Sequence, residues 1–343
     1  MKRLFFMIVI ISLLCTGCGQ KTQENGLPKK IRIGTIRVAN DKTVADELEI
    51  FKEAFAKYDI EVEMIFFDSG TAANIAFGSG AIDFAGMGYT NSVIALSKGI
   101  NVELVWIHEV LGKSEALVVQ KNRDIHGVED LVGKTIATPF ASTSHLSLVK
   151  TLELHGITKD QVTLLDMNTV DIVAAWKRGD IDAAYSWEPT LSELKENGNV
   201  LITSEDLAKE GITTVNVDLA NKDFLEKYPQ LAVEYIRALA KAGEIYKKEP
   251  NTAIESAAKS LHITPKQAQA QMEGTIWLTP KDQISSKYFG TRKHPGQFLE
   301  LFYETGVFLE QERKITHIPT KDEIKEFINP IYIEKALEGE SYD

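Results

Sequence analysis

Cysteine is almost missing from this sequence. Only Cys15 and Cys18 occur in 343 residues, both near the N-terminus. A disulfide-stapled fold and a cysteine-rich metal site are thereby excluded, so the core has to hold by itself. Basic clusters are missing too. Lys and Arg number 38 against 49 Asp and Glu, a formal charge of −11, so nucleic acid is not an expected partner. The seven histidines form no H-x-x-x-H or H-E-x-x-H pattern, and no metal site is expected. There is no P-loop, no G-x-S-x-G elbow and no G-x-G-x-x-G opening a helix after a strand. The stretch FGSGAID follows a helical pattern and reads as a turn. No cofactor and no catalytic nucleophile paired with a base are expected, which points away from an enzyme.

Beyond the N-terminus there is also no long apolar run. Lys2 and Arg3 precede an apolar stretch, Leu4 to Leu14, while a spanning helix needs about twenty residues. This is the pattern of a secretory signal peptide. Thr16-Gly17-Cys18 resembles a bacterial lipobox, with Cys15 where leucine is usual. That resemblance implies removal of residues 1–17, a diacylglyceryl group on Cys18 and a polar tether over 18–30. The chain is then expected outside the cytoplasm, held to the membrane through the lipid on Cys18.

The organisation of the remainder is a repeat of element order. Strand Ile31–Ile36, polar loop Arg37–Lys42, helix Val44–Tyr58, strand Val62–Phe67, short helix, Gly-x-Ile-Asp turn (Gly80–Asp83) and strand Phe84–Met87 follow one another. From Lys134 the series recurs: strand 135–139, loop 140–145, helix 146–155, strand 162–165, helix 170–177, a second Gly-x-Ile-Asp turn (Gly179–Asp182) and strand 183–186. Strands alternating with helices predict parallel α/β sheets. The expected fold class is α/β with two lobes, lobe 1 over 31–120 and 221–343 and lobe 2 over 121–220, joined by a two-strand hinge. Open α/β sheets bind ligands beyond the carboxyl ends of their strands, so facing lobes predict a cleft between them.

The loops at those strand ends supply the candidate ligand-binding residues. Ser142, Thr143 and Ser144 stand at a helix start, where free backbone N–H groups and the helix dipole favour an anion. His145 is next to them. In the first half Asn40 lies in the loop after the first strand, Ser69-Gly70 after the second, and Gly88-Tyr89-Thr90 after the third. Trp187 ends a strand and offers an aromatic face to an alkyl chain or an ammonium. Glu109, Glu188 and Asp218 are placed to pair with an amine, and His108 and Asn216 lie beside them.

Four segments carry a family resemblance: Phe66–Gly70 (FFDSG), Leu111–Val119 (LGKSEALVV), Ala137–Leu148 (ATPFASTSHLSL) and Ala174–Pro189 (AAWKRGDIDAAYSWEP). They resemble the taurine and aliphatic-sulfonate substrate-binding proteins of bacterial ABC transporters. The resemblance implies a type II periplasmic-binding-protein fold, a sulfonate near Ser142, Thr143 and the Gly88–Thr90 loop, and Trp187 against the ligand. It also implies an ABC permease and ATPase as partners. The sequence departs from the family pattern at His108 and Glu109, and at Asn216, where an acid meeting the ligand amine is expected. Glu109, Asp218 or a ligand without an amine are the alternatives.

Overall fold

The computed structural model describes residues 23–338; the expected signal segment, Cys18 and the start of the tether lie outside the described residues. Two sheets organise the chain. The first holds β1 (Lys30–Ile36), β2 (Glu61–Phe67), β3 (Phe84–Gly88), β4 (Val102–Leu111), β10 (Val215–Asn221) and β11 (Thr275–Ile276), ordered β11-β4-β10-β3-β1-β2. The second holds β5 (Glu115–Gln120), β6 (Thr135–Thr138), β7 (Thr163–Asp166), β8 (Ala183–Trp187) and β9 (Gly198–Thr203), ordered β7-β6-β8-β5-β9. Helices α1 (Asp41–Glu47), α2 (Ile50–Ala56), α3 (Gly70–Gly78) and α4 (Tyr89–Ser97) belong with the first sheet. Helices α5 (Thr143–Leu154), α6 (Thr169–Arg178), α7 (Thr190–Asn197) and α8 (Ser204–Lys209) belong with the second. The C-terminal part adds α9 (Lys222–Lys227), α10 (Pro229–Lys248), α11 (Pro250–Leu261), α12 (Pro265–Glu273), α13 (Pro280–Gln283), α14 (Phe298–Gln311), α15 (Lys321–Phe327) and α16 (Ile331–Glu338).

The repeat is physical. β2-β1-β3 are parallel and are followed by antiparallel β10; β7-β6-β8 are parallel and are followed by antiparallel β5. The aspartates of the two Gly-x-Ile-Asp turns do the same work. Asp83 Oδ2 accepts the Arg32 amide at 2.8 Å, and Asp182 Oδ2 accepts the Thr135 amide at 2.9 Å. Each is also paired with an arginine, Arg32 at 2.8 Å and Arg123 at 3.0 Å. Gly80 and Gly179 take left-handed φ of 69° and 77°, a conformation that costs little only without a Cβ.

The fourth strand of each sheet is exchanged between lobes, which corrects the expected boundaries. β5 already lies in the second sheet and β10 in the first, so the chain crosses at Gly112–Ser114 and returns at Gly211–Thr214. The crossing segments touch: the Leu111 amide donates to the Thr214 carbonyl at 2.9 Å. The expected helix Val44–Tyr58 is two helices, broken at Glu49 with φ 56°. No glycine or proline marks this break. α1 packs on α10 and α11 while α2 packs on α10 and β2, so tertiary packing overrides the continuous apolar stripe. His108 and Glu109, expected in a loop, lie on β4, and Thr143–His145 already form the first turn of α5.

Each sheet is covered on both faces. Along β5, Ala116 and Val118 join one core cluster while Leu117 and Val119 join another, the two-residue period of a strand buried on both sides. That is why EALVV reads as an unbroken apolar run. α10 opens on Pro229, whose missing N–H is no loss at a helix start. It buries Leu231, Tyr235, Ala238, Leu239 and Ala242 along one stripe against the first lobe.

Candidate functional site

Strand ends in such sheets are followed by helix starts, and here those starts converge. A cleft of about 720 Å³ lies between the two sheets. It is lined by the starts of α3 (Ser69, Gly70, Thr71) and α4 (Gly88, Asn91) from the first lobe, and of α5 (Ser142, Thr143), α6 (Asn168, Thr169) and α7 (Pro189, Thr190) from the second. Each helix start leaves amides without an intrahelical acceptor and carries the positive end of its dipole. Among the described residues Arg37 is the one Lys or Arg lining this space, and it is 60 % exposed and paired with Asp68 at 3.3 Å. What the cleft can offer an anion is therefore mainly backbone amides rather than cations.

Within the cleft the lobes come close at Gly88 and Thr143. A Cβ added at Gly88 would sit 3.1 Å from Thr143 Cγ2 across the cleft. At Gly70 a Cβ would meet the Asn91 side chain at 2.5 Å, so glycine there lets α3 begin against α4.

The structure brings Ser69, Gly70, Gly88, Glu109, Ser142, Thr143, Trp187, Glu188 and Asn216 to the cleft. The hydroxyls at the start of α5 are committed internally. Ser142 Oγ donates to the Pro139 carbonyl at 2.5 Å and accepts the His145 amide at 3.2 Å. Thr143 and Ser144 donate to Glu115 Oε1 at 2.5 and 2.8 Å. What α5 offers an anion is its amides. Glu188 is likewise occupied: its oxygens take Lys195 Nζ and the Ser192 amide, each at 2.9 Å.

The other expected residues do not line the cleft. Asn40 caps α1, accepting the Lys42 amide at 3.1 Å. Tyr89, Thr90 and Ser144 are fully buried, Tyr89 with its hydroxyl on Thr305 at 3.1 Å. His145 stacks on Phe140 with ring centroids 4.3 Å apart, and burial pushes its pKa down to about 4. Asp218 and His108 belong to a buried charge network beneath the floor. Lys42 Nζ donates to Asp218 Oδ1 at 2.9 Å and to the Gly34 carbonyl at 2.6 Å. Tyr235 donates to Asp218 Oδ2, which lies 3.6 Å from His108 Nε2. His108 Nδ1 meets Asp41 Oδ1 at 2.5 Å, and the Trp106 indole donates to Asp41 Oδ2 at 2.7 Å. Burial opposes the imidazolium, but Asp41 and Asp218 outweigh it and hold the His108 pKa above its ordinary value; burial lowers that of Lys42.

Glu109 stands between this network and the cleft. Its Oε1 accepts Asn216 Nδ2 at 2.5 Å, while Oε2 is buried with no partner among the described residues. Burial pushes its pKa up to about 7.

Glu115, which sequence reasoning missed, is fully buried at the start of β5. It accepts hydroxyls from Thr143 and Ser144 on Oε1, and from Ser204 (2.6 Å) and Thr214 (3.2 Å) on Oε2. One carboxylate thus holds the α5 start, α8 and the returning crossover together. Its signal was an acid opening an apolar run. Asn168 was also missed, although it occupies in the second half the place of Ser69: both cap the helix after the second strand of their repeat. Gln271, which accepts the Ala39 amide at 2.8 Å from the distant α12, has no such signal.

Residues 44–253 match the family model described as NMT1/THI5 like. The taurine-binding periplasmic protein of Escherichia coli (strain K12) is 33 % identical over 255 residues, 73 % of this chain and 77 % of the relative. The periplasmic aliphatic sulphonate binding protein SsuA from Escherichia coli superposes with a TM-score of 0.72 at 20 % identity, covering 88 % of this chain and 92 % of that one. The desulfurization enzyme DSZB superposes with a TM-score of 0.66 at 16 % identity, over 90 % of this chain and 99 % of the enzyme. These two likenesses show the two-lobed fold, a scaffold that carries both a binding protein and an enzyme.

Proposed function

Because this chain belongs to the NMT1/THI5-like family, whose matched relative is named a taurine-binding periplasmic protein, we propose that it binds taurine or a related aliphatic sulfonate outside the cytoplasm and delivers it to an ABC importer. The observation that carries this reading is the convergence of five helix starts, among the described residues, on one cleft between the lobes. A sulfonate there meets several amides and dipole ends, each a stabilisation of about 0.3–1 kcal/mol. Trp187 supplies an apolar wall for the alkyl chain. The ligand touches both lobes only when they are closed, so its differential contacts favour closure. The lipid anchor on Cys18, with permease and ATPase as partners, completes the reading.

Calorimetry with taurine, alkanesulfonates, glycine betaine and nitrate tests it, with native mass spectrometry of freshly purified chain for a retained ligand. A sulfonate at about 100 times its Kd stabilises the chain by about 2.7 kcal/mol. Binding of betaine or nitrate without any sulfonate overturns the reading. Turnover of a bound sulfonate, read by mass spectrometry, overturns the carrier role in favour of an enzyme.

A further inference from the structure

The second lobe also meets the first along the side of α5 that does not line the cleft. Ala141, Leu146 and Val149 belong to the second lobe, yet they pack into the apolar core of the first. Polar and aromatic contacts run beside them to the end of α14. Glu312, the residue after α14, is 11 % exposed and pairs through Oε1 with Lys159 of the second lobe. Lys314 Nζ lies 4.7 Å from the centre of the Phe140 ring. Phe308 meets the His145 ring with centroids 5.4 Å apart.

One group in this contact is unfinished. His145 is fully buried, and its Nδ1 accepts the Ala141 amide at 3.3 Å, which puts the hydrogen of a neutral ring on Nε2. Nε2 has no hydrogen-bond partner among the described residues. Glu312 Oε2 stands 3.6 Å from it, just outside hydrogen-bond range, and a shift of under about 1 Å between the lobes brings it in. A buried donor left without an acceptor is costly, so that shift is favoured.

The same turn of chain carries the ligand side. Phe140, Ser142 and Thr143 line the cleft. The Phe140 ring stacks on His145 at 4.3 Å, and the His145 amide donates to Ser142 Oγ at 3.2 Å. Between them Ala141 takes φ 63°, a left-handed conformation uncommon for a residue with a Cβ, and its amide is held by His145. A ligand drawing the α5 start toward the first lobe therefore carries His145 toward Glu312.

We propose that Glu312 is an interlobe latch: when the lobes close on a ligand at the α5 start, Oε2 accepts the His145 Nε2–H while Oε1 keeps Lys159, and this contact sets how long the ligand stays. The inference rests on the binding reading of the cleft. Neither Glu312 nor Lys159 lines the cleft, so the latch acts on closure and not on recognition. Release requires the lobes to part, which breaks the latch first.

The test is stopped-flow measurement of association and release of taurine and of propane-1-sulfonate by the full chain, on wild type, Lys159→Ala, Glu312→Ala and the double variant. Glu312→Ala removes the acceptor of both partners and should speed release at least about tenfold, with association within about threefold of wild type. Lys159→Ala leaves the His145 acceptor in place and should speed release about threefold, adding nothing once Glu312 is gone. A side chain that only supports the fold would lower stability without this split between release and association, and without this coupling across the lobes. Release within about twofold of wild type in Glu312→Ala, slower release, or additive effects of the two substitutions overturns the latch alone. Should Glu312→Ala fail to fold, Lys159→Ala decides by itself, since its side chain is 47 % exposed; release at the wild-type rate then overturns the latch. Wild type that binds neither sulfonate overturns the underlying reading together with this one.

Discussion

Lys42 and Asp218 are both fully buried, and the ammonium has two acceptors, Asp218 Oδ1 and the Gly34 carbonyl. Lys42→Met keeps the unbranched stem up to the ε position and removes the ammonium and its charge. Asp218 is then left with the Tyr235 hydroxyl and with His108 at 3.6 Å, beyond hydrogen-bond range. Breaking a buried pair from one side costs about 3–5 kcal/mol, because the remaining charge stays desolvated. Asp218→Asn is expected to cost a similar amount, with the ammonium left on a carbonyl. The double variant Lys42→Met/Asp218→Asn carries neither charge, so its cost should fall short of the sum of the singles by at least about 2 kcal/mol. Guanidinium unfolding followed by tryptophan fluorescence and circular dichroism measures this. The first-lobe transition is the one to read, since two lobes need not unfold together. Single variants costing under about 1 kcal/mol, or a double variant equal to the sum, would refute the account of the network as coupled buried charge.

Two further outcomes follow from the same corner and from α5. The Glu109 proton affinity is raised from 4.5 to about 7, so between those values the folded unliganded chain holds a proton that the unfolded chain has released. Unliganded stability should therefore fall as pH rises across that window, by about 3 kcal/mol at most; urea unfolding of Glu109→Gln should lack this contribution, and identical pH slopes would contradict it. Thr143 is the first residue of α5, after Ser142 with extended backbone at ψ 172°, so proline fits there. Thr143→Val removes the hydroxyl on Glu115 and keeps the amide, while Thr143→Pro removes both. By calorimetry the proline variant should bind sulfonate at least about tenfold more weakly than the valine variant; equal affinities would mean that the amide is not a ligand donor.

Much of the fold was legible because it is written in local patterns. The period-two and continuous apolar runs marked β1, β2, β3, β5, β6 and β8, and the paired Gly-x-Ile-Asp turns marked the repeat. Each turn needs a left-handed glycine and an aspartate that caps the neighbouring strand, a demand that residues state locally. β10 was hidden because it carries Asn216 and Asp218 inside an apolar strand, one facing the cleft residue Glu109 and the other neutralised by Lys42. Their partners lie 107 and 176 residues away in the chain.

By itself, the amino-acid sequence determined the α/β class, the doubled order of elements and three of the helix starts that line the cleft, those of α3, α4 and α5, since these follow from periodicity, turn chemistry and capping within about fifteen residues. Tertiary structure alone decided which polar groups at that cleft remain free. Ser142, Thr143, Glu188 and Asp218 all look alike as candidate side-chain contacts in one dimension, yet each has its side-chain oxygens engaged by a neighbour in the fold. Glu109 is left with one oxygen unmatched at the cleft wall. A side chain's availability is fixed by what surrounds it after burial, and that is set by contacts between residues far apart in the chain.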